Sequence, residues 1–97
     1  MAVPSAKDYA FQRSISDYRK SAQLLLKSFA EVEIDDDAKR VAIDAVSNNC
    51  YDALAMCDVA EKYLYEKKYD LLRECCIGIE RALIYASGND PDAEGEE

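Results

Sequence analysis

Apolar residues recur along this chain in three stretches, each with the spacing of an α-helix. Phe11, Ile15, Tyr18, Ala22, Leu25, Phe29 and Val32 are separated by alternating steps of four and three. That seven-residue pattern lays one apolar stripe along a first helix. Ser5 stands where an N-cap belongs, and Asp8 suits the positive end of the helix dipole. Leu24 and Leu26 flank the stripe and widen it only toward its C-terminal end.

The pattern breaks at Glu31-Val32-Glu33-Ile34-Asp35-Asp36-Asp37, where five of seven residues are acidic. A calcium loop of the EF-hand type needs alternating oxygen ligands, a glycine sixth and a glutamate twelfth, none of which is present. Asp35 or Asp36 is instead expected to cap a second helix, which begins near Asp37. Its apolar positions, Ile43, Val46, Cys50, Ala53, Cys57, Ala60 and Leu64, step by three and four. The middle of this seam is built from small residues, which let neighbouring helices come close. Asn48-Asn49 has low helix propensity and marks where the helix could break; a single helix to about Glu66 is expected.

Lys67-Lys68 fits a helix C-terminus, Tyr69-Asp70 starts a third helix, and Gly88 with Pro91 beyond it stops that helix after Ser87. The third helix carries two adjacent seams, Leu72, Cys76, Ile79, Leu83, Ala86 and Leu71, Cys75, Gly78, Ala82, Tyr85. Each is expected to face one of the other helices. Gly78 in a helix interior costs about 1 kcal/mol relative to alanine, so a close helix approach is expected there. Ile77 and Ile84 fall on a third side and are read as an interface.

The pattern therefore predicts an all-α fold, an antiparallel three-helix bundle with a long helical hairpin and a shorter third helix. It becomes four helices if the second breaks at Asn48-Asn49. The first two helices should run about 40–45 Å and the third near 27 Å at about 1.5 Å per residue. The third then covers only part of the hairpin. Leu24, Leu26, Phe29, Val32, Ile34 and Val41 are left at the far end, and apolar surface of that kind invites association, most simply as a two-fold homo-oligomer.

Composition changes this picture in a few places. The 97 residues allow one small domain, read as residues 1–88, whose own core is marginal. The net charge of −8 is uneven, because residues 89–97 hold five acids and no base. That acidic tail is expected to be disordered. The remainder is near neutral and argues against binding a nucleic-acid backbone. No apolar run approaches the roughly 18–20 residues of a membrane span, and no signal peptide is recognisable, so a cytoplasmic protein is expected. Four cysteines, Cys50, Cys57, Cys75 and Cys76, then read as reduced, small apolar groups.

Catalytic chemistry finds little support. The chain has no histidine, which removes the commonest general base, the Ser–His and Cys–His nucleophile pairs and the Glu-x-x-His di-iron motif. Its three glycines form no phosphate-binding loop. A metal site would need cysteines, yet Cys50 and Cys57 lie about 10 Å apart along one helix and Cys75 and Cys76 point about 100° apart. Across helices, Cys57 could meet Cys75 or Cys76 as a thiol pair. Tyr63, Tyr65 and Tyr69, interleaved with Lys62, Lys67 and Lys68, look superficially like a base-stacking surface. Glu61, Glu66 and Asp70 among them favour an ordinary amphipathic helix end whose tyrosines could anchor a protein partner.

The stretch Val59 to Ala86, with Tyr63 and Tyr69 forming a YxxxxxY turn, resembles the helical hairpin of TPR-like and HEPN-like proteins. The TPR small-residue positions are out of phase by about one turn. A HEPN-like relation implies a non-catalytic version, since that nuclease motif requires a histidine. No functional residue is carried over from either.

The functional expectation is a non-enzymatic helical protein that acts through protein–protein contact, as an adaptor, regulator or immunity-like partner, without cofactor or metal. The interface candidates are Leu24, Leu26, Phe29, Val41, Ile77, Ile84, Tyr63, Tyr65 and Tyr69. One alternative is a small acidic inhibitor of the kind phages use against a host defence nuclease. Another is a thiol-based redox or metal-binding bundle.

Overall fold

A computed structural model describes residues 5–88, which form three helices: α1 (Ala6–Ala30), α2 (Asp37–Tyr65) and α3 (Tyr69–Ala86). The fold is an all-α, antiparallel three-helix bundle. The lead through Pro4 and the acidic tail with Pro91 lie outside the described residues.

Each helix boundary has a local cause. Ser5 and Asp8 form a reciprocal capping box at the start of α1: the Ser5 hydroxyl accepts from the Asp8 amide and the Asp8 carboxylate from the Ser5 amide. α1 stops at Ala30, two residues before the apolar stripe does. Glu31 and Glu33 sit at the negative end of the helix dipole, where acids are unfavourable. Asp36 caps α2 by accepting from the Lys39 amide at 2.7 Å. α2 then runs unbroken through Asn48-Asn49 for 29 residues, so the four-helix alternative is not the one adopted. The buried Cys50 and Ala53 just beyond the asparagines, with half-buried Val46 before them, anchor both sides of the weak point. Packing of an apolar face outweighs the few tenths of a kcal/mol of propensity at stake. Gly88, at φ 85°, ends α3 in the left-handed conformation that glycine adopts without penalty.

The core is a seam of small α2 residues clasped by large ones. Cys50, Ala53, Cys57 and Ala60 are wholly inaccessible, and Ile15 and Ala22 of α1 and Leu72 and Ile79 of α3 close over them. α1 and α3 each pack closely on α2 and approach each other less closely. Phe11 and Tyr18 on α1, with Tyr69 and Leu83 on α3, are packed against this core. The first seam of α3 is the core seam, with Leu83 half-buried and the other four positions buried. The second seam borders α2 in its middle, where a Cβ on Gly78 would stand 3.2 Å from Met56 Sδ and the Cys75 thiol donates to Met56 O at 3.2 Å. Its ends, Leu71 and Tyr85, are exposed.

Because Met56 is flexible, Gly78→Ala should be nearly neutral in thermal or denaturant unfolding. A larger residue should not be: Gly78→Leu should cost about 1–3 kcal/mol by overpacking. Adding Met56→Ala should recover part of that loss, and a double-mutant cycle showing no coupling would contradict the close approach.

Candidate functional site

The hairpin's free end and the outer edge between α1 and α3 carry four of the exposed aliphatic side chains that the bundle leaves open. Leu24 is 65% exposed, Val41 64%, Ile77 49% and Ile34 48%. Leu26 and Phe29, expected in the open, are half-buried against the core, because the upper half of α1 already packs on the upper half of α2. Leu24, Leu25, Leu83 and Ile84 line a shallow groove of about 430 Å³ between α1 and α3, together with Ser21, Ser28 and Ser87. Ile77 stands two turns below Ile84 on the same face of α3. Neither isoleucine belongs to the core or is packed against it.

The tyrosines separate into different roles. Tyr65 is 88% exposed, and Tyr63 is half-buried against the core. Tyr69 is committed within the chain, which removes it as a free anchor. Its ring stacks on Phe11 with centroids 6.2 Å apart, Lys7 Nζ lies 4.4 Å from its centroid, and its hydroxyl donates to Asp8 Oδ1 at 2.7 Å.

Asp8 is the centre of a junction at the base of the bundle that local patterns did not reveal. Its side chain is buried, yet its partners lie 59 and 61 residues away. Lys67 Nζ donates to Asp8 Oδ2 at 2.6 Å, and the Ser5 amide shares that oxygen at 3.1 Å. Lys67 reaches it from a left-handed backbone, φ 60°. The turn after α2 is a Schellman motif, in which the Lys68 amide donates to Tyr63 O at 2.9 Å and the Lys67 amide to Leu64 O at 3.1 Å. Glycine ordinarily holds that position; lysine holds it here and reaches the carboxylate. The Lys67 ammonium, then the Tyr69 hydroxyl, then the Ser5 amide keep the Asp8 carboxyl well below the usual carboxylate range. A groove between α1 and α2 runs from this junction to Arg19, which bonds Asp58 at 2.9 Å and Glu61 at 2.5 Å. Both of its cations, Arg19 and Lys67, are already paired.

All four cysteines are free. Burial pushes each thiol up from its ordinary range, so each is a neutral thiol near pH 7, a state that disfavours attack and metal ligation. The Cys57 thiol points at Ile15 O, 3.9 Å away, and Cys75 is engaged with Met56, while Cys76 lies buried in the core seam. Among the described residues no group of three or more acids and thiols is placed to hold a metal ion. On the other edge, Tyr18 donates to Glu80; burial first and that carboxylate second raise its phenol far above the usual range.

No family model matches this chain, and neither a curated protein nor a solved structure is matched by it.

The Asp8 junction has a definite pH signature. A depressed carboxyl contributes stability that is present above the ordinary pKa near 3.8 and is lost as pH falls below it. Lys67 and Tyr69 are both raised, so their contribution is lost as pH climbs past about 10. Asp8→Asn should flatten the acid limb in pH-dependent denaturant unfolding; an unchanged limb would contradict the account. Lys67→Gly, which relieves the left-handed backbone while removing the amine, should cost less stability than Lys67→Ala.

Proposed function

We propose that this protein is a non-enzymatic interaction module, a small helical adaptor or regulator that works as a homo-oligomer through the open upper end of its bundle. One observation carries the reading. Of the exposed aliphatic side chains Leu24, Ile34, Val41, Val59, Leu71 and Ile77, all but Val59 and Leu71 lie at the hairpin's free end or beside the α1–α3 groove. Scattered exposed leucines are ordinary on any protein, but Leu24 joins Leu25, Leu83 and Ile84 along one open groove, and an apolar groove of this kind favours a contact site. The length mismatch between α3 and the hairpin is what leaves it open. A chain of this size gains stability from a second copy that covers such a surface.

Chemistry supports the same reading from the other side. Histidine is absent from the chain, and the four thiols are held neutral by burial. Among the described residues no helix is long and apolar enough to cross a membrane. A cytoplasmic setting, where thiols stay reduced, suits four free cysteines.

Sedimentation velocity across a concentration series tests the proposal. The wild type should form dimers at tens of micromolar. Ile77→Asp with Ile84→Asp should sediment as a monomer while keeping its helical circular dichroism, because both side chains lie outside the core. A monomeric wild type would overturn the reading, and a double variant that unfolds would place the pair in the core.

A further inference from the structure

Four cations meet at the base of the bundle. Lys7 of α1, Lys67 and Lys68 of the α2–α3 turn and Arg73 of α3 line one open pocket of about 490 Å³, with Tyr69, Asp70 and Leu71 between them. Asp70 is the single acid in that lining. Lys67 holds Asp8, and Lys68 holds Glu66 at 3.1 Å. Lys7 rests over the Tyr69 ring, and neither it nor Arg73 makes an ion pair among the described residues. The pocket also borders the start of α3, where Lys68 at the N-cap makes no side-chain hydrogen bond, unlike Ser5 and Asp36 on the other two helices. The positive end of that helix dipole adds to the cations. In a chain of net charge −8, this pocket favours carboxylates.

The same chain carries the complement at the opposite end of α3. Residues 89–97, beyond the described residues, hold Asp90, Asp92, Glu94, Glu96 and Glu97 with no base. They follow Gly88 at the top of α3, and the 18 residues of that helix set the pocket about 27 Å below, at about 1.5 Å per residue. Asp90, Asp92 and Glu94 stand within six residues of Gly88. Even a fully extended chain carries them only about 20 Å, so these three acids fall short of the pocket of their own copy.

We propose that this pocket receives the acidic segment 89–97 of a second copy of this chain, the two copies exchanging their segments across a two-fold axis. Ile77 and Ile84 set the register. Arg73, Ile77 and Ile84 share one face of α3. Antiparallel pairing on that face, with the axis midway between the isoleucines, places each Ile77 beside Ile84 of the second copy. Arg73 and Gly88 are equally far from that midpoint. The acidic segment of one copy therefore starts level with Arg73 of the other and continues toward its Lys68 and Lys67. Both contacts form at once, which closes the assembly as a dimer. Apolar burial holds the helices together, while the charges select antiparallel over parallel pairing and make the contact weaken with salt. This inference rests on the self-association reading above and adds the second contact that fixes its direction.

A charge exchange in the full-length chain tests it. One variant reverses the two unpaired cations of the pocket, Lys7→Glu with Arg73→Glu. The other reverses the segment, Asp90→Lys with Asp92→Lys and Glu94→Lys. Each is followed by sedimentation at low salt, alone and as an equimolar mixture, with circular dichroism confirming the helices. The wild-type dimer should loosen as salt is added. Each variant alone should dimerise at least about tenfold more weakly, since like charges then face each other, and the mixture should recover a heterodimer. Both variants stay net negative, so bulk charge alone does not draw them together. If both variants dimerise as tightly as the wild type, or the mixture recovers nothing, the segment does not occupy the pocket while self-association stands. A wild type that is monomeric throughout removes both.

Discussion

The rest of this molecule depends on the width of one stripe. Cys50, Ala53, Cys57 and Ala60 present almost no side-chain volume on the inner face of α2, and all four are wholly inaccessible. That allows α1 and α3 to press onto α2 and lets Ile15, Leu72 and Ile79 fill the space between, all at 1% exposure or less. It also places α2 at the centre, so the two outer helices are organised by it more than by each other. The α1–α3 edge is left to long side chains: Phe11 on Tyr69, Tyr18 on Glu80, Leu24 and Leu25 beside Leu83 and Ile84. An edge of that kind is open where its side chains run out, and that is where the groove lies.

Helix length then decides what the groove can do. α3 has 18 residues against 25 and 29 in α1 and α2, and it is tied to the base of the bundle. The tie is specific: the Asp8 carboxylate holds Lys67 and Tyr69 on either side of the α2–α3 turn. Registering α3 at the base means that it ends near Ser28, below the tip of the hairpin. Closing the bundle at one end and leaving it open at the other are thus two consequences of one junction.

Much of this was legible in the chain because it is governed by periodicity and caps, which are local. The heptad steps of Phe11 to Phe29 and Ile43 to Leu64, the Ser5 and Asp36 caps and the Gly88 stop all appear where the spacing places them. The close approach at Gly78 was legible too, since an interior glycine needs a compensating contact. What the pattern could not show is long-range pairing of polar side chains. Asp8 reads as a capping residue, and nothing nearby in sequence says that its other oxygen meets Tyr69. Arg19 with Asp58 and Glu61, and Tyr18 with Glu80, are hidden for the same reason. The length argument leaves Leu26 and Phe29 open because it treats a helix as covered only by α3, whereas both are half-buried against the core that α2 centres. Ile77 and Ile84 stay outside the core, as their face of α3 implied.

The central claim is that the narrow stripe on α2 sets how closely the bundle can pack. The most direct test is denaturant unfolding of Ala53→Leu and Ala60→Leu, each at a wholly inaccessible position, beside Ala45→Leu on the exposed face of the same helix. The account predicts that each core variant loses about 1–3 kcal/mol by overpacking while the exposed one is near neutral. Core variants as stable as the wild type would contradict it.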